Sequence, residues 1–284
     1  MTPEAQMQHE TMTAADTRAV VRRLIEEVYQ QRRLDLTGEC FAPRYVDHSP
    51  ASGPDRSGLT AWLDTLSNTF QDLTVSIDHL LVQGELALVL LSWRGRSAAG
   101  EPLELGTAEL FRVESGLVVE HWDVIDYAPL TEFGLPALTQ VEPAGPEADR
   151  SRLTETESAN LALVRLVWDE LMNRHETGNL TSHYRSDYIQ HNRFAAEAGG
   201  GLAGMTDFFV AMFALVPDLT STITQIVVDG DLVGLFAVWR GHQVGTGAEL
   251  ELNTADVLRI QDGLIAEHWD VFDYAAIARF GVAD

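Results

Sequence analysis

Apolar positions recur twice along the chain in the same order. Val20, Val21, Leu24, Ile25 and Val28 fall at helical spacing, as do Leu161, Val164, Val167, Trp168 and Leu171 in the second half, with Ser158 as a suggested N-cap. A second amphipathic helix follows in each half. Its face carries Leu59, Trp62, Leu63, Leu66 and Phe70, then Met205, Phe208, Phe209, Met212 and Phe213. Between the two helices the pattern predicts a loop, Tyr45-Val46-Asp47-His48 or Tyr188-Ile189-Gln190-His191. The period then changes to that of strands. Turns at Gln83-Gly84-Glu85 and Glu114-Ser115-Gly116, matched by Asp229-Gly230-Asp231 and Gln261-Asp262-Gly263, divide each half into four strands.

The duplication is explicit near the end of each half. Glu120-His121-Trp122-Asp123-Val124-Ile125-Asp126-Tyr127 returns with one change as Glu267-His268-Trp269-Asp270-Val271-Phe272-Asp273-Tyr274. A repeat of half the chain length means two copies of one domain. Helices followed by a run of antiparallel strands give the α+β class. The expected fold is a tandem pair of cone-shaped domains, each a curved antiparallel sheet packed on helices. Residues 15–135 and 157–284 are the two domains. Residues 136–156, with Pro143, Gly145 and Pro146, read as a linker, and residues 1–14 as a disordered N-terminus.

Composition then removes several function classes. A formal net charge of −24 disfavours nucleic acid and anionic membrane. All 19 cationic side chains are arginine. Without lysine there is no Schiff-base or pyridoxal-phosphate chemistry and no P-loop. Cys40 is the single cysteine, so it forms no internal disulfide, and no Cys/His cluster has zinc spacing. No apolar run is long enough to span a bilayer, and the polar N-terminus lacks a signal core, which points to the cytoplasm.

The last hairpin is where chemistry concentrates. A three-residue turn with a bulge pairs Val113 with Leu117 and puts Glu109, Phe111, His121 and Asp123 on one sheet face, with Asp256, Leu258, His268 and Asp270 equivalent. A two-residue turn would instead put Glu109 and Asp123 on opposite faces. If the shared face lines an apolar cavity, two neighbouring carboxyls cannot both ionise cheaply, and one becomes an acid beside an ionised base. The structural alternative is an Asp at a strand end capping a turn and satisfied by its histidine. His48 and His191 are either substrate hydrogen-bond partners at the cavity mouth or loop anchors. Asp47, matched by Gln190, can serve as a base only in the first domain. Tyr45 and Tyr188 begin the same loop. Trp93 and Trp239 read as core or as substrate platform, and Arg94 and Arg240 as solvated cations or as binders of a carboxylate or enolate.

These residues form a pattern that resembles a known family. Tyr188-Ile189-Gln190-His191-Asn192, and the run Ala255–Asp270 with its Glu267–Asp270 tetrad, look like the SnoaL-like branch of the nuclear-transport-factor-2-like superfamily. The first half matches through Tyr45, His48, Leu110-Phe111-Arg112-Val113 and Glu120–Asp123. The resemblance implies a cone-shaped fold and polyketide cyclases that close rings by aldol condensation without metal or cofactor. The acid/base aspartate of those cyclases maps to Asp123 and Asp270. Their partner histidine on the preceding strand is replaced here by Glu109 and Asp256.

Related cone-fold enzymes open epoxides, some in tandem. The limonene-type Arg-x-Asp pair is absent, since the matching strands read Arg94-Gly95-Arg96 and Arg240-Gly241-His242, and the polyether hydrolases place their base near Asp47. The expectation is therefore a cofactor-independent cyclase on a hydrophobic, polyketide-like small molecule. Asp123 and Asp270 would be proton acceptors, Glu109 and Asp256 donors, and His121 and His268 would orient them. Epoxide opening and a non-catalytic binding module are the alternatives. The two halves are expected to pair with each other as a pseudo-dimer.

Overall fold

The computed structural model describes residues 13–139, 145, 147–192 and 200–278. Residues 1–12 of the segment expected to be disordered, and part of the expected linker, lie outside the described residues, while Thr13 and Ala14 already belong to the first helix and its cap. Each half is a five-stranded sheet with helices on one face. β1 (Phe41–Asp47), β2 (Phe70–Gln83), β3 (Leu86–Ser97), β4 (Pro102–Glu114) and β5 (Leu117–Ile125) lie in the order β1-β5-β4-β3-β2. β6 (Tyr184–Gln190), β7 (Thr220–Asp229), β8 (Leu232–His242), β9 (Glu249–Gln261) and β10 (Leu264–Phe272) repeat it as β6-β10-β9-β8-β7.

The expected loop is therefore a strand, and the sheets are mixed rather than wholly antiparallel. β1 pairs parallel to β5, with Asp47 beside His121, and β6 pairs parallel to β10, with Gln190 beside His268. Pro43 sits within β1 at an edge of the sheet, where a missing donor is tolerated.

The helix Ala14–Arg23 opens on a capping box between Thr13 and Asp16 and continues through a π-helical stretch, Leu24–Gln30. Its counterpart Glu155–Trp168 is capped by Thr154 with Glu157, not by Ser158. Helices Arg56–Thr69 and Gly201–Leu215 close the other side of each cone. No helix among the described residues is long and apolar enough to cross a membrane.

Each sheet buries both faces. The concave face holds one core with the helices. On the convex face, Leu88, Leu110 and Trp122 of the first half cluster with Phe236, Val257 and Val271 of the second. This third core joins the halves. Polar contacts fix its register: Gln83 Oε1 accepts from Val228 N at 2.9 Å, and Asp229 Oδ2 accepts from Val82 N at 2.9 Å. The connecting segment packs there too, since Ala148 is in the cluster and Asp149 O accepts from Gln83 Nε2 at 2.8 Å.

Candidate active site

The last hairpin reaches the expected face by a different route. Ser115 (φ 51°) and Gly116 (φ 80°) form a two-residue turn, with Glu114 opposite Leu117 and Val113 opposite Val118. That register alone would separate Glu109 from Asp123. A β-bulge at Val119 shifts the pairing by one, so that Arg112 meets Glu120, Phe111 meets His121 and Glu109 meets Asp123. The second half does the same through Asp262-Gly263 and a bulge at Ala266, which brings Asp256 opposite Asp270. A slip of one residue turns every side chain to the other face. The two bulges are therefore what put both carboxyls on the concave side.

In the first half the polar groups form one chain beneath the apolar wall. Trp93 Nε1 donates to Thr107 Oγ1 at 3.0 Å, and Thr107 donates to Glu109 Oε1 at 2.6 Å. Glu109 Oε2 lies 2.6 Å from His121 Nε2, and His121 Nδ1 lies 3.0 Å from Asp47 Oδ1. Asp47 also accepts from Tyr45 Oη at 2.8 Å, Ser52 Oγ at 2.7 Å and Ser49 N at 2.9 Å. Asp47, Glu109, His121 and Asp123 are all buried. Burial works against a charged His121, yet the Asp47 carboxylate and its hydrogen bonds to Asp47 and Glu109 hold the imidazole well above its ordinary pKa. Asp47 moves the other way: burial would raise it, but His121⁺ and its donors keep it below the usual range. Asp123 has no such clamp. Burial drives its pKa to about 7, with His121 pulling down and Glu109 pushing up.

The second half keeps the frame and changes the fittings. His268 Nε2 lies 2.9 Å from Asp256 Oδ1, but its Nδ1 meets the amide of Gln190 at 2.9 Å instead of a carboxylate. Burial lowers its pKa and Asp256 outweighs it, so the imidazole is raised less emphatically than His121. Thr254 donates to Asp256 Oδ2 at 3.0 Å. Asp270 is driven up by burial to about 6, with His268 opposing. Unlike Asp123, its oxygens are served: Asn192 Nδ2 donates to both, at 2.9 and 3.0 Å, and Tyr274 Oη lies 3.3 Å from Oδ1.

Each triad faces a cavity. Tyr29, Trp62, Leu63 and Trp93 wall the first. Met172, Phe208, Phe209 and Trp239 wall the second. Glu109, His121 and Asp123 offer donor atoms within 4.8 Å of one another, as do Asp256, His268 and Asp270. A cation could bridge either set, but each histidine Nε2 is already engaged by Glu109 or Asp256.

The structure separates the other expected site residues. Trp93 and Trp239 line the cavities, and so do Trp62 and Phe208, which the sequence pattern assigns to core. Tyr45 is behind the wall, holding Asp47, and Tyr188 Oη contacts Met205 Sδ at 3.5 Å. His48 and His191 are on the opposite sheet face, because β1 and β6 alternate sides. They stack on Trp122 and Trp269 at 4.5 and 4.6 Å and lie 3.4 and 3.2 Å from Glu120 and Glu267. Of the two roles weighed for them, these contacts fit loop anchoring. Arg94 and Arg240 pair with Glu104 and Glu251 in exposed positions. Sequence reasoning missed Thr107, Thr254, Ser49, Asn192, Tyr127 and Tyr274. Two signals were present: Thr-Ala-acid occurs in both halves, and the repeated octapeptide ends on tyrosine.

Both halves are thus α+β cones with a carboxyl pair and an imidazole on their last two strands. The SnoaL-like polyketide cyclase family model matches residues 19–132 and again 162–279, and the chain belongs to that family as two tandem copies. No curated protein matches. Among solved structures, TsrD from Streptomyces laurentii is 24% identical, covering 43% of this chain and 96% of its own, at a TM-score of 0.39. IdmH, a putative polyketide cyclase from Streptomyces antibioticus, is 25% identical over 44% of this chain and 100% of its own, at 0.37. A putative SnoaL-like polyketide cyclase from Jannaschia sp. is 18% identical over 47% and 99%, at 0.41.

Proposed function

We propose that the chain is a cofactor-independent acid/base enzyme of secondary metabolism, a cyclase that moves protons on a hydrophobic, polyketide-like molecule, with Asp123 as the proton-transferring group. The observation that carries this is the contrast inside the first triad. Asp47, His121 and Glu109 are locked to one another, whereas Asp123 lines the cavity with a pKa of about 7 and one oxygen unpartnered among the described residues. A carboxyl poised near neutrality serves best both to take a proton and to return it. Glu109 was expected to be the donor. Both its oxygens accept hydrogen bonds, from Thr107 and His121, so the acid role passes to Asp123 on the return step.

Removing a proton next to a carbonyl leaves an enolate, whose carbon then attacks a second carbonyl of the same chain. Asp123 would take that proton and later deliver it to the new alkoxide. The fixed imidazolium of His121 offsets the negative charge that accumulates. Asp270 would take the same step in the second half. The test is exchange of the acidic C–H of ethyl benzoylacetate in D₂O, followed by NMR. The wild type should exceed the background rate, and Asp123→Asn with Asp270→Asn should return it to background with the fold intact. A wild type no faster than buffer, or a fully active double variant, contradicts the reading.

A further inference from the structure

Two buried polar atoms facing the cavities are left over, and they are of opposite kinds. In the first half the leftover is an acceptor. Asp123 Oδ1 has no partner among the described residues, although a hydrogen bond from the Ser49 side chain helps to lower the pKa of that carboxyl. Tyr127 Oη, whose electrostatic environment includes Asp123, is also unpartnered among the described residues but does not line the cavity. In the second half the matching atoms are satisfied from within. Asn192, at the position of Ser49, spans Asp270 at 2.9 and 3.0 Å and Tyr274 Oη at 3.2 Å. The longer side chain puts one donor within reach of both carboxyl oxygens. There the leftover is a donor instead. Trp239 Nε1 has no partner among the described residues, whereas its counterpart Trp93 Nε1 donates to Thr107. The hydroxyl of Thr254 is engaged by Asp256, a side chain one methylene shorter than Glu109. Trp239 and Asp123 are both cavity-lining and each is at least nine-tenths buried. Unpartnered buried polar atoms are rare in native proteins, and each calls for an explanation.

We propose that the two cavities take ligand groups of opposite hydrogen-bonding character. The first seats a hydroxyl that donates to Asp123 Oδ1. The second, where Asn192 already fills that place, seats a carbonyl that accepts from Trp239 Nε1. Positions 49 and 192 are then specificity-determining. This assignment rests on the reading of both cavities as ligand sites and names what each would hold. It fits a chain whose two halves meet different functional groups of one substrate class, or of a substrate and its product, since aldol closure consumes a carbonyl and creates a hydroxyl.

The test uses three small probes in the intact protein, followed by ¹⁹F NMR: 4-fluorophenol, 4-fluoroacetophenone and 4-fluorotoluene. The phenol should bind about tenfold more tightly than the toluene, the worth of one good hydrogen bond. Ser49→Asn should erase that preference by supplying the donor from the protein, and Asp123→Ala should erase it by an independent route if Ser49→Asn fails to fold. The ketone should also bind about tenfold better than the toluene. That preference should vanish in Trp239→Phe and survive Ser49→Asn. Equal affinities for the three probes overturn the proposal, as does a phenol preference unmoved by both first-half variants. Because nothing here depends on turnover, missing probe preferences with an intact Asp123-dependent exchange would sink the assignment and spare the acid/base reading. The reverse result would do the opposite.

Discussion

The two halves share strand order, bulges and triad, yet their imidazoles sit in different electrostatic settings. His121 lies between two carboxylates, Asp47 and Glu109, while His268 lies between one carboxylate, Asp256, and the neutral amide of Gln190. One substitution on an edge strand thus changes the charge state that a duplicated site can hold. A related difference follows one turn later, where Ser49 leaves Asp123 partly unserved and Asn192 serves Asp270 fully. The frame of a domain can therefore be copied while its chemistry drifts, through residues that hold the site rather than through the triad itself.

The largest expected break in the comparison is catalytic. Asp123→Asn should lower first-half proton exchange by about 10²–10⁴-fold, the usual contribution of a positioned acid or base. Asp270→Asn should cost less, because Asn192 and Tyr274 already engage that carboxyl. Equal losses would show that the halves work alike.

Next comes stability. Asp47→Asn removes a carboxylate from a buried imidazolium and should cost about 3–5 kcal/mol in denaturant unfolding. Gln190→Ala removes a neutral hydrogen bond and should cost only about 1 kcal/mol. A smaller penalty for Asp47→Asn would mean that His121 is not charged.

The smallest expected effect is a pH dependence, and its sign follows from linkage. The Asp123 pKa is raised from about 3.8 to about 7 in the fold, so the native state holds a proton that the unfolded chain has released. Stability must fall as pH rises between these values and then level off. His121, also raised, loses its contribution as pH climbs through its folded pKa. Asp123→Asn should therefore raise Tm by about 5 °C at pH 8 and change little at pH 4. The corresponding second-half variant should respond about one pH unit lower, since Asp270 reaches about 6. Calorimetry at the two pH values checks this.

Much of the fold was open to a reader of the sequence because it was written twice. Helical spacing, Gly-bearing turns and the repeated octapeptide sufficed for two α+β domains and for the face shared by Glu109 and Asp123. The route to that face was hidden. A two-residue turn plus a bulge gives the same alternation as the expected three-residue turn, and nothing in Leu117-Val118-Val119-Glu120 marks Val119 as the extra residue. The role of Asp47 was hidden for another reason. It depends on parallel pairing of Phe41–Asp47 with a strand some 75 residues later, a contact that no local period reports. His48 and His191 followed from the same error. Taken as loop, they were free to face the cavity, but strand alternation turns them to Trp122 and Trp269 once Asp47 and Gln190 face inward.

The central claim is that the first cavity holds a carboxyl titrating near neutrality. It is tested most directly by following the ¹³Cγ resonance of Asp123 against pH, assigned by its loss in Asp123→Asn. The account predicts a midpoint at about 7, with Asp270 near 6. A midpoint near 4, the value of a solvated aspartate, would contradict it.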